Sequence, residues 1–270
     1  MPFPKTPTLL TEITDCVLTI TLNRPDERNA MNESMLDDLM AVFKQLPALP
    51  EVRVVVLRGV NGNFCAGGDI KDFARLRKLP TPQAQDHMTQ FNRRFGAMLE
   101  CVNALGTATV AVLEGAVLGG GLGLACVADV SITHQDSSFG MPEAGLGIFP
   151  AQIAPFVVAR IGISQARRLG VCGVRFDGKE AVRLGVAHFV EPDTTSVDRR
   201  LNEVLKQILS CAPNAVADTK RVMSAVGQQP LSAILDQAAQ QFAASLMSDE
   251  AAEGTRAFIE RRKPNWVKGV

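Results

Sequence analysis

Three short segments hold residue types that could do chemistry together. The first, Asn63-Phe64-Cys65-Ala66-Gly67-Gly68-Asp69-Ile70-Lys71, follows a β-branched run. Paired glycines after a buried strand let the backbone turn sharply and approach a ligand, although a plain tight turn uses them too. The second, Glu114-Gly115-Ala116-Val117-Leu118-Gly119-Gly120-Gly121-Leu122-Gly123-Leu124, sets three consecutive glycines between an apolar strand and a small-residue helix. The first N–H groups of a helix lack intrahelical acceptors and sit at its positive end, so this segment can hold an anion or an oxyanion. It lacks the GxGxxG spacing of a dinucleotide site. The third, Phe139-Gly140-Met141-Pro142-Glu143-Ala144-Gly145-Leu146-Gly147, carries one acid in a stretch otherwise uncharged from Ser137 up to Arg160. A lone carboxylate in apolar surroundings has a raised pKa and suits a general base near neutral pH. An exposed loop glutamate is the plainer reading of that segment alone.

The elements that must position these segments can be read from periodicity. Strands are expected at 9–14 and 17–22, split by a turn at Asp15, then a proline-broken loop over 23–30. Asn32 caps a helix with apolar residues Met35, Leu36, Leu39, Met40 and Phe43. Buried strands are expected at 52–57, 109–113 and 130–133, a turn-rich segment at 59–72, and a helix over 83–102. Beyond Gly147 the pattern turns mainly helical, near 151–160, 164–170, 178–185, 198–210, 213–225, 230–246 and 249–262. Strands alternating with helices, then helices alone, indicate an α/β body with a helical C-terminal part.

Composition excludes several classes. Formal net charge is zero, against a dedicated nucleic-acid or membrane-surface protein. The longest apolar stretch, 116–130, is glycine-rich and short of the roughly 20 residues that span a bilayer. Pro2, Pro4 and Pro7 suit a signal peptide poorly, and six scattered cysteines show no CxxC spacing. The reading is a soluble, reduced, cytoplasmic protein. His87, His134 and His188 lack metal-ligand spacing, so no metal site is expected, and Trp266 reads as packing.

Taken together and in this order, the three segments resemble the enoyl-CoA hydratase/isomerase (crotonase) superfamily. The likeness runs from Leu22-Asn23-Arg24-Pro25 to Phe258-Ile259-Glu260-Arg261-Arg262-Lys263-Pro264. It implies a spiral of β-β-α units over 1–200 and a helical region over 201–270 that makes homotrimers or dimers of trimers. It implies oxyanion-hole N–H groups at Gly68 and Gly120, with Glu143 as catalytic acid/base. Substrate and coenzyme A contacts are implied at Glu27, Arg28, Ala30, Ala66, Asp69, Ile70, Lys71, Gly119, Pro142, Phe258 and Arg261. No cofactor is implied beyond the CoA of an acyl-CoA substrate, and no nucleic-acid or membrane partner. The Arg261-Arg262-Lys263 run is either a solvated helix end or, by the resemblance, a reach toward a neighbouring subunit's CoA.

One departure matters. Two-glutamate hydratases carry a second glutamate where this chain has Gly123. The segments at 150–158, 165–169 and 175–178 resemble hydratases of 3-methylglutaconyl-CoA and, more closely, isohexenylglutaconyl-CoA in acyclic-terpene breakdown, among which glycine is common at that position. The expected activity is hydration of a 2,3-enoyl thioester by Glu143 alone. Single-glutamate 3,2-enoyl isomerisation and thioester hydrolysis are the enzymatic alternatives. A non-catalytic or RNA-associated scaffold is the alternative of another class. A distal substrate carboxylate would meet Arg75, Arg77 or Lys78, although three basic residues so close together in a polar loop read more plainly as a solvated face.

Overall fold

The computed structural model describes residue 3 and residues 6–267; Pro2 and Pro4 lie outside them. Strands β1 (Leu9–Thr14) and β2 (Val17–Leu22) form an antiparallel hairpin. Asp15 and Cys16 at its turn both have positive φ, the twist that matches right-handed strands. Helix α1 (Glu33–Gln45) follows, with the Asn32 side chain accepting from the Met35 N–H, as expected of a cap. Then come β3 (Val54–Gly59), α2 (Ile70–Leu76), α3 (Thr81–Asn103), β4 (Ala108–Leu113), β5 (Ala116–Leu118) and α4 (Gly120–Cys126). The chain continues through β6 (Val130–His134), β7 (Ser138–Gly140), a tight 3-10 turn at Pro142–Leu146 and α5 (Ala154–Cys172). It ends in β8 (Arg175–Phe176), α6 (Gly178–Leu184), β9 (Phe189–Glu191), α7 (Thr194–Ser210), α8 (Pro213–Ala225), α9 (Leu231–Leu246) and α10 (Asp249–Ile259).

Six strands form the main sheet in the order β1-β2-β3-β4-β6-β9, parallel except for the first pair. Its central strands are apolar on both faces because both are covered. Val55 and Leu57 of β3, with Ala111 and Leu113 of β4, join the core built with α1 and α3. The alternate residues Val54, Val56, Val110 and Val112 pack on Val197, Leu201, Val204 and Leu209 of α7.

A smaller sheet, β5-β7-β8, stands beside the first. Parallel bridges Met31↔Gly68 and Cys65↔Val117 lead into the parallel pair β5–β7. Each successive pass therefore gives one strand to the main sheet, one short pairing to the second, and then a helix. This is the expected spiral of β-β-α units.

The structure corrects several boundaries. The buried strand expected at 52–57 sits at Val54–Gly59, and the turn-rich segment expected at 59–72 already enters α2 at Ile70. The two helices expected at 151–160 and 164–170 are one run, α5, broken at Gly162, whose φ of 76° leaves the helical region. Strands β5, β7, β8 and β9 were not legible; at two or three residues each they are too short for alternation to register. Among the described residues no helix is long and apolar enough to cross a membrane.

Candidate active site

The spiral brings the three glycine-bearing segments edge to edge. Cys65 N–H donates to Ala116 O at 2.8 Å and Leu118 N–H to Cys65 O at 3.0 Å, tying the first segment to the second. Gly119 N–H donates to Gly140 O at 2.9 Å, tying the second to the third. On the far side of the first segment, Met31 N–H donates to Gly67 O at 2.8 Å and Asp69 N–H to Met31 O at 3.0 Å.

These bonds bracket two N–H groups and leave them out. Among the described residues neither Gly68 N–H nor Gly120 N–H has an acceptor, and both residues line one small cavity of about 140 Å3. Gly120 opens α4, where an N–H has no intrahelical partner and lies at the positive helix end. Each residue is backed by a ring: a Cβ on Gly68 would lie 2.7 Å from Phe73 Cζ, and one on Gly120 3.0 Å from Phe95 Cζ. The residues before them carry the turns, with φ of 98° at Gly67 and 50° at Gly119. Two convergent, unspent donors at an apolar cavity can bind a developing oxyanion.

Glu143 lines the same cavity from the 3-10 turn. Its Oε1 lies where a Gly119 Cβ would be crowded at 2.7 Å, so glycine at 119 makes room for the carboxylate. Its Oε2 is buried and, among the described residues, has no hydrogen-bond partner. Burial pushes the Glu143 pKa up, only partly offset by a backbone hydrogen bond. A carboxyl with a free oxygen and a raised pKa can take and return a proton. The nearby Cys65 thiol is pushed up to about 12 by burial, which removes it as a thiolate nucleophile.

Position 123 is filled. A Cβ there would meet Ile153 Cγ2 at 2.4 Å, Ile153 Cβ at 2.9 Å and Leu99 Cδ1 at 3.4 Å. Ile153 lines the cavity, so an apolar side chain occupies the space a second glutamate would need. A wider, mostly apolar chamber of about 690 Å3 adjoins the first through shared residues that include Ile70, Phe73, Asn92, Leu146 and Ala151.

The remaining expected site residues divide. Ala66, Ile70, Gly119 and Pro142 line the inner cavity. Glu27, Arg28 and Ala30 form a loop beside it, held to the first segment by Ala66 N–H donating to Arg28 O at 3.0 Å. Lys71 reaches that loop, 3.2 Å from Glu27. The Asp69 side chain is buried, pairs with Arg24 at 2.8 Å and caps α2 through Lys71 N–H, so it holds the loops together. Phe258 and Arg261 line neither chamber, and Phe258 is 86% exposed. Arg262 is tied to Glu253 and Glu260, and His188 Nδ1 accepts from Ser131 N–H. Of the basic residues expected to meet a distal carboxylate, Arg75 pairs with Asp72 at 2.9 Å, Lys78 lines neither chamber, and Arg77 lines only the outer one. Among the described residues no group of three or more His, Cys, Asp or Glu is placed to hold a metal ion.

Phe73, Phe95, Asn92, Gln152 and Ile153 line the cavity and were not singled out from sequence. For Asn92 there was a signal: it is a polar interruption in the stripe Met88, Phe91, Phe95. Gln152 and Ile153 fall inside the helix expected at 151–160, but α5 begins only at Ala154, so helical spacing could not show which way they face.

The enoyl-CoA hydratase/isomerase family profile matches residues 12–269. "Probable enoyl-CoA hydratase 2, mitochondrial" of Arabidopsis thaliana is 30% identical over 250 residues, 92% of this chain and 80% of that protein. The solved structure of Pseudomonas aeruginosa AtuE is 51% identical, covers 97% of this chain and 100% of that one, and superimposes with a TM-score of 0.93. An enoyl-CoA hydratase/isomerase from Marinobacter aquaeolei is 44% identical, with a TM-score of 0.92 over 97% of this chain and 99% of that one. Since that profile spans nearly the whole chain, the chain belongs to the enoyl-CoA hydratase/isomerase family.

Proposed function

We propose that this enzyme hydrates the 2,3 double bond of a branched, glutaconyl-type acyl-CoA with Glu143 as its only acid/base. The thioester oxygen sits between the N–H groups of Gly68 and Gly120, which stabilise the enolate as water adds. Glu143 takes a proton from water as its oxygen bonds to Cβ, then returns that proton to Cα on the same face. The product is a 3-hydroxyacyl-CoA, and no cofactor beyond the substrate's own CoA enters the balance. Removing one such donor typically costs about 3–4 kcal/mol of transition-state stabilisation, so the glycine pair carries much of the catalysis.

The observation that carries the single-carboxylate reading is Ile153 standing over Gly123, beside a Glu143 Oε2 with no partner. The glutaconyl class, with isohexenylglutaconyl-CoA or 3-methylglutaconyl-CoA as substrate, rests on the likeness of residues 150–158, 165–169 and 175–178. The outer chamber supports it, since crotonyl-CoA would leave that space unused. Coenzyme A lies along Glu27, Arg28, Ala30, Ala66, Ile70 and Lys71. Self-association as a trimer or pair of trimers is assigned to the helices from residue 201 on. Exposed Met223, Leu235, Phe242, Met247 and Ile259 support it, and Phe258 and Arg261 would then serve a neighbouring subunit's CoA site.

The test follows absorbance of the conjugated thioester with crotonyl-, 3-methylglutaconyl- and isohexenylglutaconyl-CoA side by side. Loss of absorbance fastest with a glutaconyl substrate is expected. An enzyme inert on every 2-enoyl-CoA but active on a 3-enoyl-CoA overturns hydration in favour of isomerisation.

A further inference from the structure

The reacting Cβ must stay beside Glu143, and this restricts where its substituents can go. In a glutaconyl group the distal carboxylate carbon is two bonds from Cβ, so it remains in the inner cavity or at its mouth. Arg77 lines only the outer chamber, and among the described residues no cation lines the inner one. Apart from Glu143, the inner cavity offers two polar side chains, Asn92 and Gln152. Among the described residues neither side chain has a hydrogen-bond partner, so their amide N–H groups are unspent.

Gly96 seats the Gln152 amide against the helix that carries Asn92. A Cβ on that residue would lie 2.0 Å from Gln152 Oε1, so the missing side chain is the notch in which the Gln152 amide rests against α3. Asn92 is one turn back on the same helix, and residues four apart share a face. The Arg93 guanidinium crowds the same notch, with Nη1 3.2 Å from the same point.

Resting on the glutaconyl reading above, we infer that Asn92 and Gln152 read the substrate's short carboxylate arm, while the apolar outer chamber takes the longer arm on Cβ. The sorting is by length and polarity. Donors stand within two bonds' reach of Cβ, and an apolar space opens beyond them.

The experiment compares kcat/KM on 3-methylglutaconyl-CoA with that on 3-methylpent-2-enoyl-CoA, in which a methyl group replaces the carboxylate. It uses wild type, Asn92→Leu, Gln152→Met, Gly96→Ala and Arg77→Met. Asn92→Leu and Gln152→Met are each expected to lower the ratio at least tenfold. Gly96→Ala, which closes the notch, is expected to act like Gln152→Met, and Arg77→Met is expected to change the ratio less than threefold. Circular dichroism and urea midpoints identify any variant that does not fold, and the remaining variants then decide. A wild-type preference for the carboxylate that survives both amide substitutions overturns this inference alone. So does a preference lost in Arg77→Met and kept in the amide variants. A wild type that hydrates the neutral chain as well as the charged one overturns the glutaconyl reading, and this inference with it.

Discussion

Gly123→Glu would install the second carboxylate of a two-glutamate hydratase, and it is expected to fail here for a geometric reason. Even a Cβ at 123 stands 2.4 Å from Ile153 Cγ2 and 2.9 Å from Ile153 Cβ, closer than non-bonded carbons come. Ile153 is 3% exposed and Leu99 fully buried, so neither can swing into water. Forcing a methyl group into a packed core costs about 1–3 kcal/mol, the expected loss for Gly123→Ala. A glutamate adds a carboxyl buried without a partner, several kcal/mol more. The sum, on the order of 5 kcal/mol, is a large part of the 5–15 kcal/mol that holds a typical domain folded. Urea denaturation of Gly123→Ala, Ile153→Ala and the double variant measures the contact. The double variant should be more stable than the sum of the singles by about 1 kcal/mol or more, because each substitution relieves the other. A Gly123→Glu protein with a wild-type midpoint that hydrates crotonyl-CoA faster than wild type would refute the reasoning.

Three further outcomes follow from Glu143 and its surroundings. Glu143→Gln keeps the shape but cannot take a proton, so kcat should fall by about 10²–10⁴-fold with thioester binding nearly intact, measured by turnover and calorimetry. Retention of more than about a tenth of kcat would remove Glu143 as the general base. Because burial raises the Glu143 pKa, the acidic limb of kcat/KM should lie above the ordinary carboxyl range. The same shift makes the carboxylate costly once ionised, so its part in stability declines as pH rises from the ordinary glutamate value through the raised one. Glu143→Gln should abolish that decline, and identical stability–pH curves for the two proteins would contradict the shift. Gly119→Ala should fold yet lose roughly 10–100-fold in kcat, since it strains a φ of 50° and crowds Glu143 Oε1; unchanged kcat in steady-state assays would count against that packing.

Much of the site could be read from sequence because its chemistry is carried by backbone. Gly67-Gly68, Gly119-Gly120 and Glu143 stand in contiguous segments, and glycine runs at strand ends are visible without a structure. The long strands and α1 were legible for other reasons: the fully buried β4 is an unbroken run of strand length, and α1 carries an apolar stripe of helical period. What could not be read is whatever depends on one segment meeting another. Ile153 on Gly123, Gln152 in the notch at Gly96 and Phe73 on Gly68 are contacts between residues 5 to 56 positions apart. Arg75, Arg77 and Lys78 looked alike in sequence, and only the turn from α2 into α3 separates a paired, a chamber-lining and an outlying cation.

The glycine at 123 and the isoleucine at 153 are best understood as one change. Removing a glutamate from a close-packed interior leaves a void, and voids are destabilising in proportion to their volume. Here the space is taken by a β-branched side chain from a different segment, stiff at χ1 and held fully in place. The electrostatics change with the packing. Two carboxylates in one apolar pocket raise each other's pKa, and one of them tends to hold a proton. With Ile153 in place of the second, the rise at Glu143 comes from burial, and among the described residues no second acidic side chain lines the cavity. The wall facing Glu143 is then apolar, which suits a Cβ bearing carbon substituents better than a second ordered acid would. In the proposed reaction, loss of the second glutamate and acceptance of a branched acyl group are therefore consequences of the same contact.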